Sequence, residues 1–270
     1  MDSLIVVPAR FGSTRFPGKP LAKINGISMI RRTADVAARA CAELKKTAYV
    51  VATDNEDILT HCTAHKIPTI MTSPELANGS ARAREAYRIF APKTQVVVNL
   101  QGDAPFTDVK HITACVKAMS SGVDVATPYV QLSWEALDRL RENKRTTPFS
   151  GTSLIHDASG RALWFSKNII PALKHETRLR REIGTSPICR HIGLYVYTVA
   201  ALERYITLPP SHYEQLEDLE QLRMIEAGFH IAAVPVQPAK ISTSGIDSPE
   251  DLTRAATMLN EHGDPFKGAV

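Results

Sequence analysis

The chain has no C-x-x-C pair: its four cysteines, Cys41, Cys62, Cys115 and Cys189, lie far apart. That spacing argues against a zinc ribbon, a redox pair or a disulfide framework. Three of them fall at apolar positions of predicted helices, where a free cysteine behaves as a small hydrophobe. No apolar run approaches the roughly 20 residues needed to cross a bilayer. A basic start, apolar stretch and cleavage site are also missing from the first residues, so a cytoplasmic protein without a membrane span is expected. Neither sign of charge dominates, with 32 Lys and Arg against 28 Asp and Glu. Aromatics make up only 6% of residues, and no basic run is interleaved with them, so nucleic acid is not an expected partner. The densest basic run, Arg178-Leu179-Arg180-Arg181, is flanked by Glu176 and Glu182 and reads as a solvated helix face.

Two familiar phosphate fingerprints are missing as well. A Walker loop needs G-x4-G-K-[ST]; here five residues separate Gly12 from Gly18, and Pro20 follows Lys19 where a hydroxyl should bind magnesium. No G-x-G-x-x-G follows the first apolar run, which argues against dinucleotide binding by that route.

What remains is an ordinary globular composition, 44% hydrophobic and 22% charged over 270 residues. That length fits one large α/β domain or one domain carrying an inserted subdomain. Apolar runs at 4–7, 49–52, 69–71, 96–100 and 123–129 read as strands. Helical spacing fills 27–41, the segment around 58–62, the stretch from the loop Asn78-Gly79-Ser80 through Phe90, and 108–119. Such alternation means βαβ units and a parallel sheet covered on both faces. Beyond 129 the pattern changes. A short helix at 134–140 precedes an antiparallel hairpin, 152–156 with 162–165, and 167–190 is loop-rich. A strand at 192–198, a helix at 213–226 closed by Gly228, a strand at 231–236 and a helix begun by Ser248 and Pro249 complete the chain. Residues 149–210 are expected to be an insertion that shapes a substrate pocket and a dimer interface.

Ligands of open parallel sheets bind beyond the carboxyl ends of the strands. Three polar clusters fall there: 10–19, Thr53-Asp54 and Gln101-Gly102-Asp103. In the first, Arg10, Arg15 and Lys19 stand among glycines and hydroxyls, a cradle suited to a triphosphate. Asp103 follows a glycine that lets a ligand approach the backbone and is suited to hold Mg²⁺. Asp247 also ends an extended segment before a helix, and two carboxylates from separate strands on one metal would neutralise phosphate charge. Aspartate is equally at home as a turn residue or helix cap, so either one alone says little.

The segment Pro8-Ala9-Arg10-x-x-Ser13-x-Arg15-x-Pro17-Gly18-Lys19-Pro20 resembles the N-terminal signature of the sugar-acid cytidylyltransferases, and most closely the CMP-Kdo synthetase (3-deoxy-manno-octulosonate cytidylyltransferase) family. Ala52-Thr53-Asp54, Met71-Thr72-Ser73-Pro74, Asn99-Leu100-Gln101-Gly102-Asp103 and Ala162-Leu163-Trp164-Phe165-Ser166 carry the resemblance onward. His191-Ile192-Gly193-Leu194-Tyr195, Leu219-Glu220-Gln221-Leu222-Arg223 and 245–252 extend it in family order to about residue 256.

The resemblance implies a Rossmann-like nucleotide-diphospho-sugar transferase fold: three α/β/α layers, a mixed and mostly parallel sheet, and an inserted substrate and dimerisation subdomain. It also implies a single nucleotidyltransferase domain over 1–270, a homodimer, CTP as donor and Mg²⁺ as cofactor. By analogy Lys19, Arg10 and Asp103 are catalytic. Pro8, Ala9, Arg10, Ser13, Lys19, Ser73, Ser80, Arg82 and Gln101 would bind the nucleotide. Gln101, Lys167, His191, Tyr195, Glu220 and Gln221 would surround the sugar acid, and Asp103 with Asp247 would bind the metal. The product would enter a glycan such as lipopolysaccharide or capsule. Three positions depart from the pattern: Ala81 and Ala104 replace carboxylates, and Lys167 replaces an arginine. The reading is therefore activation of a 3-deoxy-2-ulosonic acid with CTP. Its alternatives are another sugar acid or nucleotide on the same fold, or a catalytically silent relative.

Overall fold

The computed structural model describes residues 2–12, 16–241, 245–246 and 248–270. Ser13, Arg15 and Asp247, named above, lie outside the described residues. The chain opens with β1 (Ser3–Ala9), a 3-10 turn at Lys19–Leu21, the small hairpin β2 (Lys23–Ile24) and β3 (Ile27–Ser28), and α1 (Met29–Glu43). There follow β4 (Thr47–Thr53), α2 (Glu56–Ala64), β5 (Thr69–Met71), α3 (Gly79–Phe90), β6 (Val96–Asn99), α4 (Val109–Ala118), β7 (Val125–Gln131) and α5 (Trp134–Thr146). The second half supplies β8 (Ser153–His156), β9 (Ala162–Ser166), α6 (Glu176–Glu182), β10 (Cys189–His191), β11 (Tyr195–Thr198) and α7 (Val199–Thr207). It ends with α8 (His212–Glu217), α9 (Glu220–Glu226), β12 (Ile231–Pro235) and α10 (Pro249–His262).

Ten strands form one sheet in the order β5-β4-β1-β6-β11-β7-β10-β8-β9, with β12 pairing β7. The register makes β1, β4, β5, β6, β7, β8 and β12 run one way and β9, β10 and β11 run against them. The sheet is thus mixed, with a parallel core. β1 is buried along its whole length, and the two-residue alternation of a strand splits its side chains between two cores. Leu4 and Val6 pack with Ala83, Tyr87, Leu202 and Leu222 on one face. Ile5 and Val7 pack with Ile30, Ala37, Ile58 and Ile112 on the other. Helices therefore cover both faces.

Caps mark several of the helix starts that place the site. Asn78 accepts from Ala81 N at the head of α3, Asp108 from Lys110 N at α4, and Ser248 with Asp251 closes a capping box on α10. On α1, Thr33 reaches the Gly102 carbonyl at 3.1 Å. The same helix is strapped by the last residues of the chain: Asp264 grips buried Arg32 through both oxygens, at 2.7 and 2.9 Å, and Asp35 accepts from Ala269 N at 2.8 Å. α1 is thereby held against the loop that follows β6.

The second half departs from expectation in four places. The helix expected over 213–226 is two helices, because Asp218 takes the left-handed conformation with φ 50°, which aspartate tolerates as a single residue. The break lets Glu217 turn back to accept from Ser166 Oγ at 2.9 Å and from Lys167 N at 2.5 Å. The strand expected over 192–198 begins only at Tyr195, because Gly193 and Leu194 bend away between β10 and β11. Within the loop-rich 167–190 lie α6 and β10, both too short for periodicity to reveal, and α7 was not anticipated at all. Residues 149–210 add β8, β9 and β10 to the same sheet, while β11 within that span sits between β6 and β7. On α6, no residue is buried. Arg180 pairs there with Asp138 and Glu176 and lies over the Trp134 ring at 4.6 Å.

Candidate active site

β1 ends at Pro8 and Ala9, whose side chains are buried, so that only backbone faces outward there. Arg10 then emerges into solvent and donates to the Ala77 carbonyl at 3.3 Å. Further on, Gly18 with φ 70° starts the 3-10 turn that carries Lys19. The Lys19 Nζ lies 2.7 Å from Asp103 Oδ2. The lysine is mostly buried, at 12% exposure, while Asp103 keeps 34%. A carboxylate is thus held at the mouth of a cleft with one flank neutralised and another open.

Gly102 is what allows this junction. A Cβ placed there would stand 2.5 Å from the Pro8 carbonyl oxygen, and both atoms belong to backbone that cannot swing aside. Gly102→Ala is expected to cost about 1–3 kcal/mol through overpacking and to displace Asp103. Urea unfolding with parallel assays of turnover would show both losses; an unchanged variant would disprove the close approach.

Gln101 and Asp103 line a cavity of about 720 Å³ together with Lys167, His191, Tyr195 and Gln221. The ends of β6, β9, β10 and β11 and the start of α9 therefore bring together most of the residues that the sequence nominated for a sugar acid. Tyr195 donates to Gln221 Oε1 at 2.9 Å, which fixes both side chains. His191 packs edge-on against Phe165 and beside Tyr195. Its Nε2 is 2.8 Å from Thr127 Oγ1, whose own proton is given to the Leu194 carbonyl at 2.8 Å. Thr127 must then accept, so the histidine carries its proton on Nε2, and Nδ1 is left as an acceptor.

Burial, with a smaller push from Lys167, lowers the His191 pKa to about 3. The ring is neutral at ordinary pH. Below about 6.5 the unfolded chain takes up a proton at His191 that the folded chain refuses down to about 3, so this residue costs stability as pH falls through that window. Unfolding free energies at pH 7 and pH 5 should therefore fall less in His191→Gln than in the parent; an equal fall in both would count against the shift.

A second group of nominated residues lies outside this lining, across Gln101, where α3 meets the end of β1. The position of a Gly79 Cβ is 3.4 Å from both Gln101 Oε1 and Pro8 Cγ. Beside it Ser80, 1% exposed, is contacted by Asn99 Nδ2 at 3.3 Å and donates to Glu220 Oε2 at 3.4 Å. Tyr205 donates to the same oxygen at 3.2 Å. Glu220 therefore faces Ser80 rather than the cavity, and desolvation by the surrounding protein pushes its carboxyl up. Ser73 is tied down through its N–H to Glu85 at 2.8 Å. Arg82 is wholly enclosed: Nη2 pairs with Asp54 at 2.7 Å, and Nη1 donates to Thr72 Oγ1. Its pKa is lowered by desolvation and by Arg10, against the pull of Asp54. Arg82 thus shapes this compartment from within.

The cytidylyltransferase family model matches residues 4–233. The chain belongs to the cytidylyltransferase family. The 3-deoxy-manno-octulosonate cytidylyltransferase of Maricaulis maris is 36% identical over 266 residues, 98% of this chain and 99% of that protein. The protein of the same name from an Anaeromyxobacter species is 40% identical over 256 residues, covering 94% and 96%. Among solved structures, a CMP:2-keto-3-deoxy-manno-octonic acid synthetase complexed with CTP superposes with a TM-score of 0.81 at 28% identity, over 97% of this chain and 99% of that one. A cytidylyltransferase from Leptospira borgpetersenii shares the fold at a TM-score of 0.59 and 15% identity.

Within this cytidylyltransferase, the positions that depart from the family pattern lie at the two compartments. Ala104 and Lys167 line the cavity, and Ala81 sits in the first turn of α3. Among the described residues no three acidic, histidine or cysteine side chains cluster to hold a metal. Magnesium ordinarily needs only one or two carboxylates, with substrate phosphates and water completing its shell. Asp103, 34% exposed and in the cavity lining, fits that need. The Ile246 N–H lies 3.3 Å from the Asp103 carbonyl, so the segment leading to Asp247 passes beside it. No helix among the described residues is long and apolar enough to cross a membrane.

Arg190 also lines the cavity, and the sequence reading passed over it. Its signal was available: in β10 it alternates with Cys189, which is buried against the core.

Proposed function

We propose that the protein transfers the cytidylyl group of CTP to a 3-deoxy-2-ulosonic sugar acid, Kdo or a Kdo-like sugar, giving the CMP-sugar and pyrophosphate. The observation that carries this reading is the cavity itself. Its lining combines a lysine-paired aspartate with cationic, histidine and tyrosine side chains, a set suited to a polyhydroxylated acid reaching a nucleotide phosphate. The names and coverage of the relatives agree with it.

The anomeric hydroxyl attacks the α-phosphorus in line, its proton is lost, and pyrophosphate leaves without a covalent enzyme intermediate. Lys19 and Arg10 offset charge on the phosphates, and the cavity wall aligns the hydroxyl, so positioning and electrostatics supply the catalysis. Pro8 and Ala9 offer backbone to the nucleotide. Ser13 is assigned to the triphosphate with Arg10 and Lys19; Ser73, Ser80 and Arg82 shape the base side, and Gln101 stands between base and acceptor. Neutral His191 accepts from a sugar hydroxyl through Nδ1, Tyr195 and Gln221 engage others, and Lys167 faces the acid group. Glu220 stands outside this lining, bonded to Ser80 and Tyr205. Asp103 and Asp247 would hold Mg²⁺, which when bound supplies positive charge to the triphosphate.

In this reading residues 1–270 form one nucleotidyltransferase domain in which 149–210 builds the acceptor side. The protein works in the cytoplasm as a homodimer, ahead of lipopolysaccharide or capsule assembly. Ala104 and Lys167, both on the cavity wall, favour one second reading: a sugar acid other than Kdo itself. Pyrophosphate release across a panel of nucleotides and sugar acids decides. CTP with Kdo or a close relative should give the highest kcat/KM; preference for another nucleotide, or silence across the panel, would overturn the proposal.

A further inference from the structure

Lys144 lies in the last turn of α5, where a lysine ordinarily serves the closing carbonyls of its own helix. Its ammonium instead reaches two other stretches of chain. It donates to the carbonyls of Pro148 at 3.1 Å, Ser150 at 2.5 Å and Gly151 at 3.1 Å in the loop before β8, and of Lys167 at 2.6 Å just beyond β9. None of the four belongs to α5. Three N–H bonds meet four acceptors, so the oxygens surround the nitrogen as carbonyls surround an ion. Desolvation and the positive charges of Lys167 and Arg190 lower the lysine's pKa, against the pull of Glu217. The carbonyl dipoles, with Glu217, must therefore offset a charge that its surroundings otherwise disfavour.

The backbone gathered in this way borders the cavity: Gly151, Thr152 and Lys167 belong to its lining. The Thr152 carbonyl accepts from His191 N at 2.9 Å, which carries the placement of the loop to β10. On the β9 side, Glu217 takes the Lys167 N–H at 2.5 Å. Ser153 Oγ donates to the Asn168 carbonyl at 2.5 Å and accepts from Ile170 N at 3.1 Å. Gly151 sits at φ 69°, in the left-handed region open to glycine, and a Cβ there would be 3.1 Å from Leu140 Cδ1. The loop thus packs against α5 at Leu140, and Lys144, one turn on, joins it to β9.

We propose that Lys144 is a positioning residue for the acceptor side of the cavity. Its ammonium acts as a tethered monovalent cation, and the carbonyl cage around it sets the backbone of Gly151, Thr152 and Lys167. The role in the cavity rests on the reading of that cavity as an acceptor site; the cage stands apart from it. An arginine does not fit the part, because its planar fork sends the donors into one plane, whereas an ammonium is a compact point charge that four oxygens can surround. A free ammonium ion has the same charge and the same kind of donor, so it suits the place that the lysine head would vacate.

The test is Lys144→Met, whose side chain ends one atom short of the ammonium and leaves the four carbonyls facing its place. Amide hydrogen exchange of 147–152 and 166–168 and calorimetric affinities for Kdo and CTP are measured in ammonium chloride and in tetramethylammonium chloride at equal concentration, the second cation being too large for the cage. In tetramethylammonium the variant should exchange faster than the parent, and ammonium should return it toward the parent's rate. Kdo affinity should fall by roughly 10-fold, short of the ~100-fold that a displacement of about 1 Å can cost, at unchanged CTP affinity, and ammonium should restore part of it. A merely structural lysine would weaken both ligands alike or neither. Exchange equal to the parent's, or the same response to both cations, overturns the cage; affinities for Kdo and CTP that fall together, or do not fall, overturn its role in the cavity. If the methionine variant does not fold, Lys144→Gln, whose amide reaches fewer of the carbonyls, is read in the same way. Exchange and binding need no turnover, so a parent that releases no pyrophosphate sinks the cytidylyl-transfer reading alone.

Discussion

Asp103→Asn is expected to lower kcat by on the order of 100-fold or more, the usual loss when a principal group that stabilises developing charge is removed. The substitution keeps the shape of the side chain and removes only the charge. Asp103 is 34% exposed, so the loss of its ion pair with Lys19 should change stability by less than about 1 kcal/mol. The loop around it is held by other bonds, from Thr33 Oγ1 to the Gly102 carbonyl and from Ala104 N to the Gln101 carbonyl. Turnover and stability should therefore part company. Under the proposed role of Lys19 at the triphosphate, CTP affinity should fall far less than kcat. Pyrophosphate release at saturating CTP, acceptor and Mg²⁺, with thermal unfolding as the control, reads this directly. A variant with near-parental turnover would remove Asp103 from the chemistry.

The route to Asp103 shows what a sequence discloses. The continuous apolar runs of β1 and β6 announce strands buried on both faces, and the glycine after β6 announces a close approach. The asparagine, aspartate and serine caps of α3, α4 and α10 are equally visible, because capping is a local matter of one side chain and the next few N–H groups. Partner choice is not local. Thr53-Asp54 stood out as a polar cluster at a strand end, yet nothing in its neighbourhood says that Asp54 serves a guanidinium 28 residues on. The same holds for Glu220, nominated for the acceptor from its place beside Gln221. The first turn of a helix points successive residues in different directions, and of these two it is Gln221 that reaches the cavity. Arg190 stayed hidden beside a more conspicuous histidine. Hydrophobic periodicity reports burial. It does not report which partner a buried charge finds.

Asp54→Asn should be the most destabilising of the substitutions considered, by about 3–5 kcal/mol, because it strands a buried charge. Arg82 has no exposed surface, and Asp54 is its counter-ion among the described residues at 2.7 Å. Its Nε already lacks a hydrogen-bond partner, and Arg10 adds repulsion from the front. Asparagine can still accept one hydrogen bond, but it cannot offset the charge. The penalty is a large part of the 5–15 kcal/mol that holds a typical domain together and corresponds to a fall in Tm of roughly 5–10 °C. Urea unfolding should show the midpoint falling at an unchanged slope, since the folded surface is the same. The control is the double variant Asp54→Leu with Arg82→Met. Replacing both charges by apolar groups of similar volume is often neutral or stabilising, so it should recover most of the lost stability. It should not recover activity. Arg82 anchors the first turns of α3 to Thr72 and to the end of β4, and Ser80 and Gly79 on those turns border Gln101 and Pro8. A stable but impaired double variant would show that the ion pair exists to place α3 against the nucleotide side of the site. A single variant losing less than about 1 kcal/mol would mean that the guanidinium has found another partner, and the placement argument would fall with it.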